Sequence, residues 1–343
     1  MIEEFVGFYT SRPFWAGDPP VDLETLSTFA SQLQVSETRS QFREFMSAIV
    51  FSYKTNGIRL CVCKDGMLLV QVKNLEIEIE KIRDGLDIEA QSQLWGQYLD
   101  YINCLYLLLD SVVIEIKQFA YFNLSEVTNR DVSRLRFKDG KCMGQSIAHE
   151  SITSVYQRSR YEITPDMLTS LFRQSFSKNI FDVLFEKYSI ATANPSLLKN
   201  LAEVTKNLSE YKVGNYSTSL VLAWFVIESK IIRLWDKLID NCNRDFDDGT
   251  RRISKDRQKT LTGRDYTISV ISNFLELSDL IPFKVFQDIN AVRKFRNKVV
   301  HGDSNFNCDA KRCQQAIELA LHLTLEGTGL TVLPNYTYSI PGL

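Results

Sequence analysis

The chain has 343 residues, 44% of them hydrophobic and 24% charged, a composition with ample apolar material for a core and unlike that of a disordered chain. Forty Lys and Arg against 42 Asp and Glu leave a net charge of −2, which excludes a uniformly basic, nucleic-acid-coating protein and confines any nucleic-acid site to a local patch. Met1 is followed by Ile2, Glu3 and Glu4 rather than by a basic and then an apolar stretch, so no signal peptide is read. The longest apolar stretch, Ile102 to Ile116, is interrupted by Asp110 and Glu115 and is too short to span a bilayer. The seven scattered cysteines argue against a disulfide framework, and the expectation is a cytoplasmic protein with reduced thiols and no membrane partner.

In chain order, Leu23 to Leu33 has helical spacing and Phe42 to Phe51 continues it. Ile58–Cys63 and Met67–Val72 flank Lys64-Asp65-Gly66, a hairpin signal because glycine accepts positive φ. Leu75, Ile77 and Ile79 alternate with Glu76, Glu78 and Glu80, which predicts a half-buried strand with an acidic outer face. Leu94 to Leu109 reads as a helix, Val112 to Ile116 as a strand, and Asp139-Gly140 as a second tight turn within Arg134 to Met143. Residues 1–160 are therefore expected to form a mixed α+β domain of unassigned role, without nucleotide-binding glycine spacing or a nucleophile elbow.

The remainder reads as helical, so the fold class is α+β: a mixed N-terminal domain, then an all-α bundle over 161–330, then a tail, 331–343. Thr164-Pro165-Asp166 is a helix start, and Asn194-Pro195 opens another helix closed by Gly214. Tyr216 to Ile239 is a long amphipathic helix with Trp224, Glu228 and Trp235. Asn241 to Arg264 is a polar insert with seven basic residues against four aspartates, read as a loop. Tyr266–Leu277, Pro282–Val300 and Asp309–Glu326 are the last three helices.

One segment combines chemistry with pattern: Val292-Arg293-Lys294-Phe295-Arg296-Asn297-Lys298-Val299-Val300-His301-Gly302-Asp303. An imidazole transfers protons near neutral pH, and a guanidinium stays charged and forks onto phosphate oxygens. Together they suit attack of an RNA 2′-hydroxyl on its own phosphodiester, with no metal required. His301 is assigned acid–base work and Arg296 the phosphate. Asn297, one helical turn before His301, is placed to orient the ring, and Arg293 and Lys298 to contact the RNA backbone. Five residues at about 100° each put Arg296 and His301 roughly 140° apart on an ideal helix, so convergence needs the helix to end near Val300, as Gly302 suggests. The bland alternatives are a C-capping histidine and a solvated or salt-bridged arginine.

The segment resembles the Arg-x(4–6)-His signature of HEPN domains, and the order of long helix, polar insert, Arg–His helix and closing helix over about 194–326 is similar to theirs. The resemblance implies a metal-independent endoribonuclease without cofactor, acting on RNA as a homodimer whose paired motifs form one composite site. It also implies a toxin or antiviral defence role, with a regulatory or antitoxin partner. Glu228 is then expected to pair with Arg296 or Arg293, with Lys230 and Arg233 approximating a basic pair after it. A non-catalytic HEPN-like module that binds RNA or protein is the alternative, and a helical protein in which the motif is coincidence is a third. His149 and His322 are read as structural or exposed. Cys308 and Cys313 lack a fourth zinc ligand, Cys61 and Cys63 as strand packing, and Asn335-Tyr336-Thr337 as a chance glycosylation match.

Overall fold

A computed structural model describes residues 2–18, 47–83, 87–146, 173–302 and 306–339. The protein is α+β. A curled antiparallel sheet carries β1 (Ile2–Phe8), β3 (Ile49–Thr55), β4 (Ile58–Cys63), β5 (Leu68–Val72), β6 (Val132–Lys138) and β7 (Lys141–Ser146) in the order β3-β4-β5-β1-β6-β7. A separate parallel pair joins β2 (Phe14–Ala16) to β8 (Gln174–Phe176).

Three tight turns set the register of the sheet. The expected hairpins at Lys64-Asp65-Gly66 and Asp139-Gly140 are both present, pairing β4 with β5 and β6 with β7. A third, at Asn56-Gly57, joins β3 to β4; φ is 45° at Asn56 and 77° at Gly57, the left-handed pair that a two-residue hairpin favours. Phe42 to Phe51 therefore does not continue a helix into β3; residues 42–46 and the expected helices at 23–33 and around Thr164 lie outside the described residues, as does His149. Period-two alternation sends Phe5, Cys61, Cys63, Leu69, Leu135 and Phe137 to one face, where they form a core with Met67. Val70 and Phe8 point to the opposite face, where Phe8 meets Tyr106 with ring centroids 6.0 Å apart.

Two expected strands are helical. Leu75–Glu80 lies within α1 (Lys73–Arg83), where Leu75 and Ile79 are buried and Ile77 is exposed. The burial is i, i+4, and the Glu- and Lys-rich sequence has high helix propensity, so the alternation of Ile and Glu was compatible with both periods. Val112–Ile116 forms the end of α2 (Ile88–Lys117), a helix capped by Asp87 through Ala90 N at 3.0 Å. Burial of Val112 and Val113 overrides their β preference.

The chain divides into two compact units, 1–205 with 332–337, and 206–331 with 338–343. This division lies well beyond the expected boundary at 160 because the next helices pack with the sheet unit. In α3 (Lys178–Thr192), Phe181 and Phe185 stack on Phe51 and Tyr53 of β3, with centroids 4.9 and 4.6 Å apart. In α4 (Pro195–Lys212), which Asn194 caps, Thr205 Oγ1 donates to Asn103 O at 2.9 Å. Asn335, in the returning segment of the tail, is buried: its Nδ2 donates to Phe122 O at 2.9 Å, so this asparagine is a structural clamp.

The second unit is built on α5 (Tyr216–Cys242), α6 (Lys255–Leu261), α7 (Ile268–Leu277), α8 (Phe283–Val300) and α9 (Ala310–Leu325). Trp224, Ile227, Ile231, Leu275, Ile289, Val292 and Leu323 are among its core residues, and Ala223, Ala316 and Ala320 are buried with them. Side-chain contacts give the helix directions. Ser219 lies 3.0 Å from Cys313, and Lys230 feels the charge of Glu326, so α5 and α9 run parallel. Arg312 lies over Phe295, and Gln315 donates to Asp288 at 3.3 Å, so α8 runs antiparallel to α9. The C-terminal end of α8 thus lies beside the first turns of α5 and α9. The polar insert follows the opposite end of α5; it contains α6 and a small bridge between Asp245 and Arg251, and Trp235 Nε1 anchors it by donating to Leu261 O at 2.9 Å.

Candidate active site

The Arg–His segment occupies the last two turns of α8. Ile289 and Val292 are buried in the bundle, and Phe295 and Val299 pack against it; Lys294 and Lys298 are exposed, whereas Arg293 and Arg296 follow Ile289 at i+4 and i+7 on its own face of the helix and are half-buried. The helix ends at Val300, as Gly302 suggested. His301 is the C-cap, with φ −87° and ψ 4°; its amide donates to Asn297 O at 2.9 Å, and Gly302 turns left-handed at φ 67°. The imidazole is exposed at the end of the helix.

Arg296 is half-buried. Its Nη1 donates to Asn297 Oδ1 at 3.2 Å, and its Nε is sealed from solvent with no partner among the described residues. Arg293 is similar: Nη2 donates to Asn290 Oδ1 at 3.4 Å, and Nε is buried and unmet. An unmet buried donor costs about 1–3 kcal/mol, and two such donors lie one turn apart on α8. Neither guanidinium forms an ion pair among the described residues, so the salt-bridged reading of Arg296 does not describe it. Lys298 is exposed, its Nζ 5.4 Å from the centre of the Phe306 ring.

Two expected partnerships are not made. Asn297 holds Arg296 with its side chain and meets His301 only through its backbone carbonyl, because the C-cap amide takes that carbonyl. Glu228 forms no ion pair with Arg293 or Arg296. The Ser219–Cys313 and Arg312–Phe295 contacts set the Arg–His turn level with the start of α5, and Glu228 lies nine residues, about 13 Å, further along that helix. Lys230 is held below the usual lysine range, mainly by burial.

The nearby cysteines are protonated thiols. Burial pushes Cys308 up to about 11 and Cys313 up to about 12; Cys308 Sγ donates to Tyr216 O and Cys313 Sγ to Ser219 Oγ. Among the described residues no group of three or more His, Cys, Asp or Glu side chains is arranged to hold a metal ion. All seven cysteines are free, and no described helix is long and apolar enough to cross a membrane. His322 is an exposed residue near the end of α9.

The feature the linear sequence does not announce is aromatic. Phe295 and Phe306 stack with centroids 6.0 Å apart and planes 20° apart, and the Arg312 guanidinium lies over both, 5.7 Å from Phe295 and 5.2 Å from Phe306. The only hint in the sequence is an Arg near the start of α9; that it meets a ring on α8 is set by the antiparallel pairing. Comparison of the chain with protein families, curated proteins and solved structures finds no match.

Proposed function

We propose that the protein is a metal-independent endoribonuclease of the HEPN type, in which His301 moves protons and Arg296 binds the scissile phosphate. The observation that carries this reading is an exposed imidazole at the end of α8 with two half-buried guanidinium groups, Arg296 and Arg293, about one and two turns earlier, that form no ion pair among the described residues. The two non-bridging oxygens of a phosphodiester match the fork of an arginine.

The chemistry follows from these groups. Neutral imidazole takes the proton of the 2′-hydroxyl, whose oxygen attacks the adjacent phosphorus. The guanidinium stabilises charge on the phosphorane oxygens. An imidazolium then gives its proton to the departing 5′-oxygen. The products are a 2′,3′-cyclic phosphate and a 5′-hydroxyl. One histidine cannot be base and acid at once, so a homodimer in which a second His301 faces the first supplies both roles. Cleavage of cellular or invading RNA, as by a toxin or antiviral effector held in check by a partner, is the corresponding biological role.

The test is RNA incubated with the full chain in EDTA. Wild type is expected to cut, leaving 5′-hydroxyl ends, and His301→Ala and Arg296→Ala to be at least about 100-fold slower. An inert wild type, or variants that cut equally well, would refute the catalytic reading. RNA retention without products would point instead to a non-catalytic RNA-binding module.

A further inference from the structure

The stacked rings beside the Arg–His turn have no role in proton transfer or phosphate binding. Phe295 precedes His301 by six residues, about 9 Å along α8, so the rings are within one nucleotide's reach of the imidazole. Both are only partly buried, and the Arg312 side chain that covers them is 39% exposed. Arg312 is held in place: its Nη1 donates to Asn307 O at 2.7 Å and pairs with Asp309 at 3.0 Å. A guanidinium fixed over phenyl rings is a flat cationic surface, and unpaired nucleobases stack on aromatic rings and on arginine planes alike.

The charges around it fit the same ligand. Arg293, Lys294, Arg296 and Lys298 on α8 and Lys311 on α9 form no ion pair among the described residues, and Asp309 is already engaged by Arg312. We infer that Phe295, Phe306 and Arg312 form a stacking platform for an unpaired base of single-stranded RNA, seating the nucleotide next to the phosphate held by Arg296. This rests on the ribonuclease reading and adds to it the side chains that hold a base, which a paired base cannot reach.

The probe is a 2′-O-methyl oligoribonucleotide, which lacks the attacking hydroxyl, with one adenine replaced by 2-aminopurine. Stacking quenches that fluorophore, so its loss of emission on titration with the full-length protein reports the contact directly. Wild type is expected to quench it. Phe306→Leu, which keeps apolar bulk but not the flat ring, and Arg312→Gln are each expected to weaken single-strand binding about ten-fold and leave duplex binding unchanged. Far-UV circular dichroism confirms folding of each, and Arg312→Gln keeps the test decisive if Phe306→Leu misfolds.

Unaltered single-strand affinity in the variants, or equal losses for duplex, would overturn the platform; if wild type still cuts RNA in EDTA, the nuclease reading survives that result. A wild type that neither binds the probe nor cuts RNA would refute both.

Discussion

The hydroxyl of Tyr98 donates to the carbonyl of Val70 at 2.9 Å and accepts from the amide of Val72 at 3.1 Å, which ties the middle of α2 to a central strand. Tyr98 is fully buried, and Glu76 on α1 lies 3.3 Å from the same oxygen. Tyr98→Phe keeps the packing and removes this junction. It is expected to destabilise the fold by about 1–3 kcal/mol, seen as a lower urea midpoint with the slope retained.

Glu76 gives the sheet unit a pH dependence. Burial, only partly offset by the Tyr98 hydroxyl and Arg134, pushes its carboxyl up to about 7. The folded state therefore holds a proton that the unfolded chain releases near 4.5. Stability is full below about 4.5 and is lost as pH rises through about 7. Glu76→Gln is expected to raise the melting temperature at pH 8 and leave it nearly unchanged at pH 4.5. Equal shifts at both pH values would refute this account of Glu76.

Two hairpin glycines are expected to respond differently. Gly66 adopts φ 86°, and a Cβ built there would lie 2.7 Å from the carbonyl oxygen of Phe14. Gly140 adopts φ 78°, but a Cβ there meets nothing within 4 Å. Both alanine variants carry the left-handed penalty of about 1–2 kcal/mol, and only Gly66→Ala adds a backbone clash. Gly66→Ala should therefore lower the melting temperature clearly more than Gly140→Ala.

Asn297 is expected to act on cleavage through Arg296, whose guanidinium it accepts. Under the nuclease reading, Asn297→Ala lowers kcat about ten-fold with little change in KM, because the loss is of positioning at the phosphate. Asn297→Asp, which keeps the acceptor, restores most of the rate. A fall in KM-dependent binding alone, or no rescue by aspartate, would assign Asn297 another role.

Much of the second unit was legible because its helices carry long, regular apolar stripes and clear ends, such as Gly214 and Gly302. The hairpins at Asp65-Gly66 and Asp139-Gly140 were legible from local turn chemistry. Asn56-Gly57 carries the same turn chemistry. Leu75–Glu80 and Val112–Ile116 were misread because short segments fit two periods, and burial against the sheet and along α2 settled the choice. The candidate site divides the same way. Arg296 and His301 were visible as a linear motif, whereas the neighbours of Glu228 and Asn297 depend on helix direction and on the cap amide. Phe306 meets Arg312 and Phe295 only after α8 turns back into α9.

That reversal has a practical consequence at the other end of the bundle. Residues Tyr216 to Cys242 extend about 39 Å, and the exposed turn at Asp247-Asp248-Gly249 lies past their far end, a helix length away from the imidazole. A dye or affinity handle attached at that turn would sit away from the proposed site, so the protein can be immobilised or followed by fluorescence there while the Arg–His turn stays open to solvent.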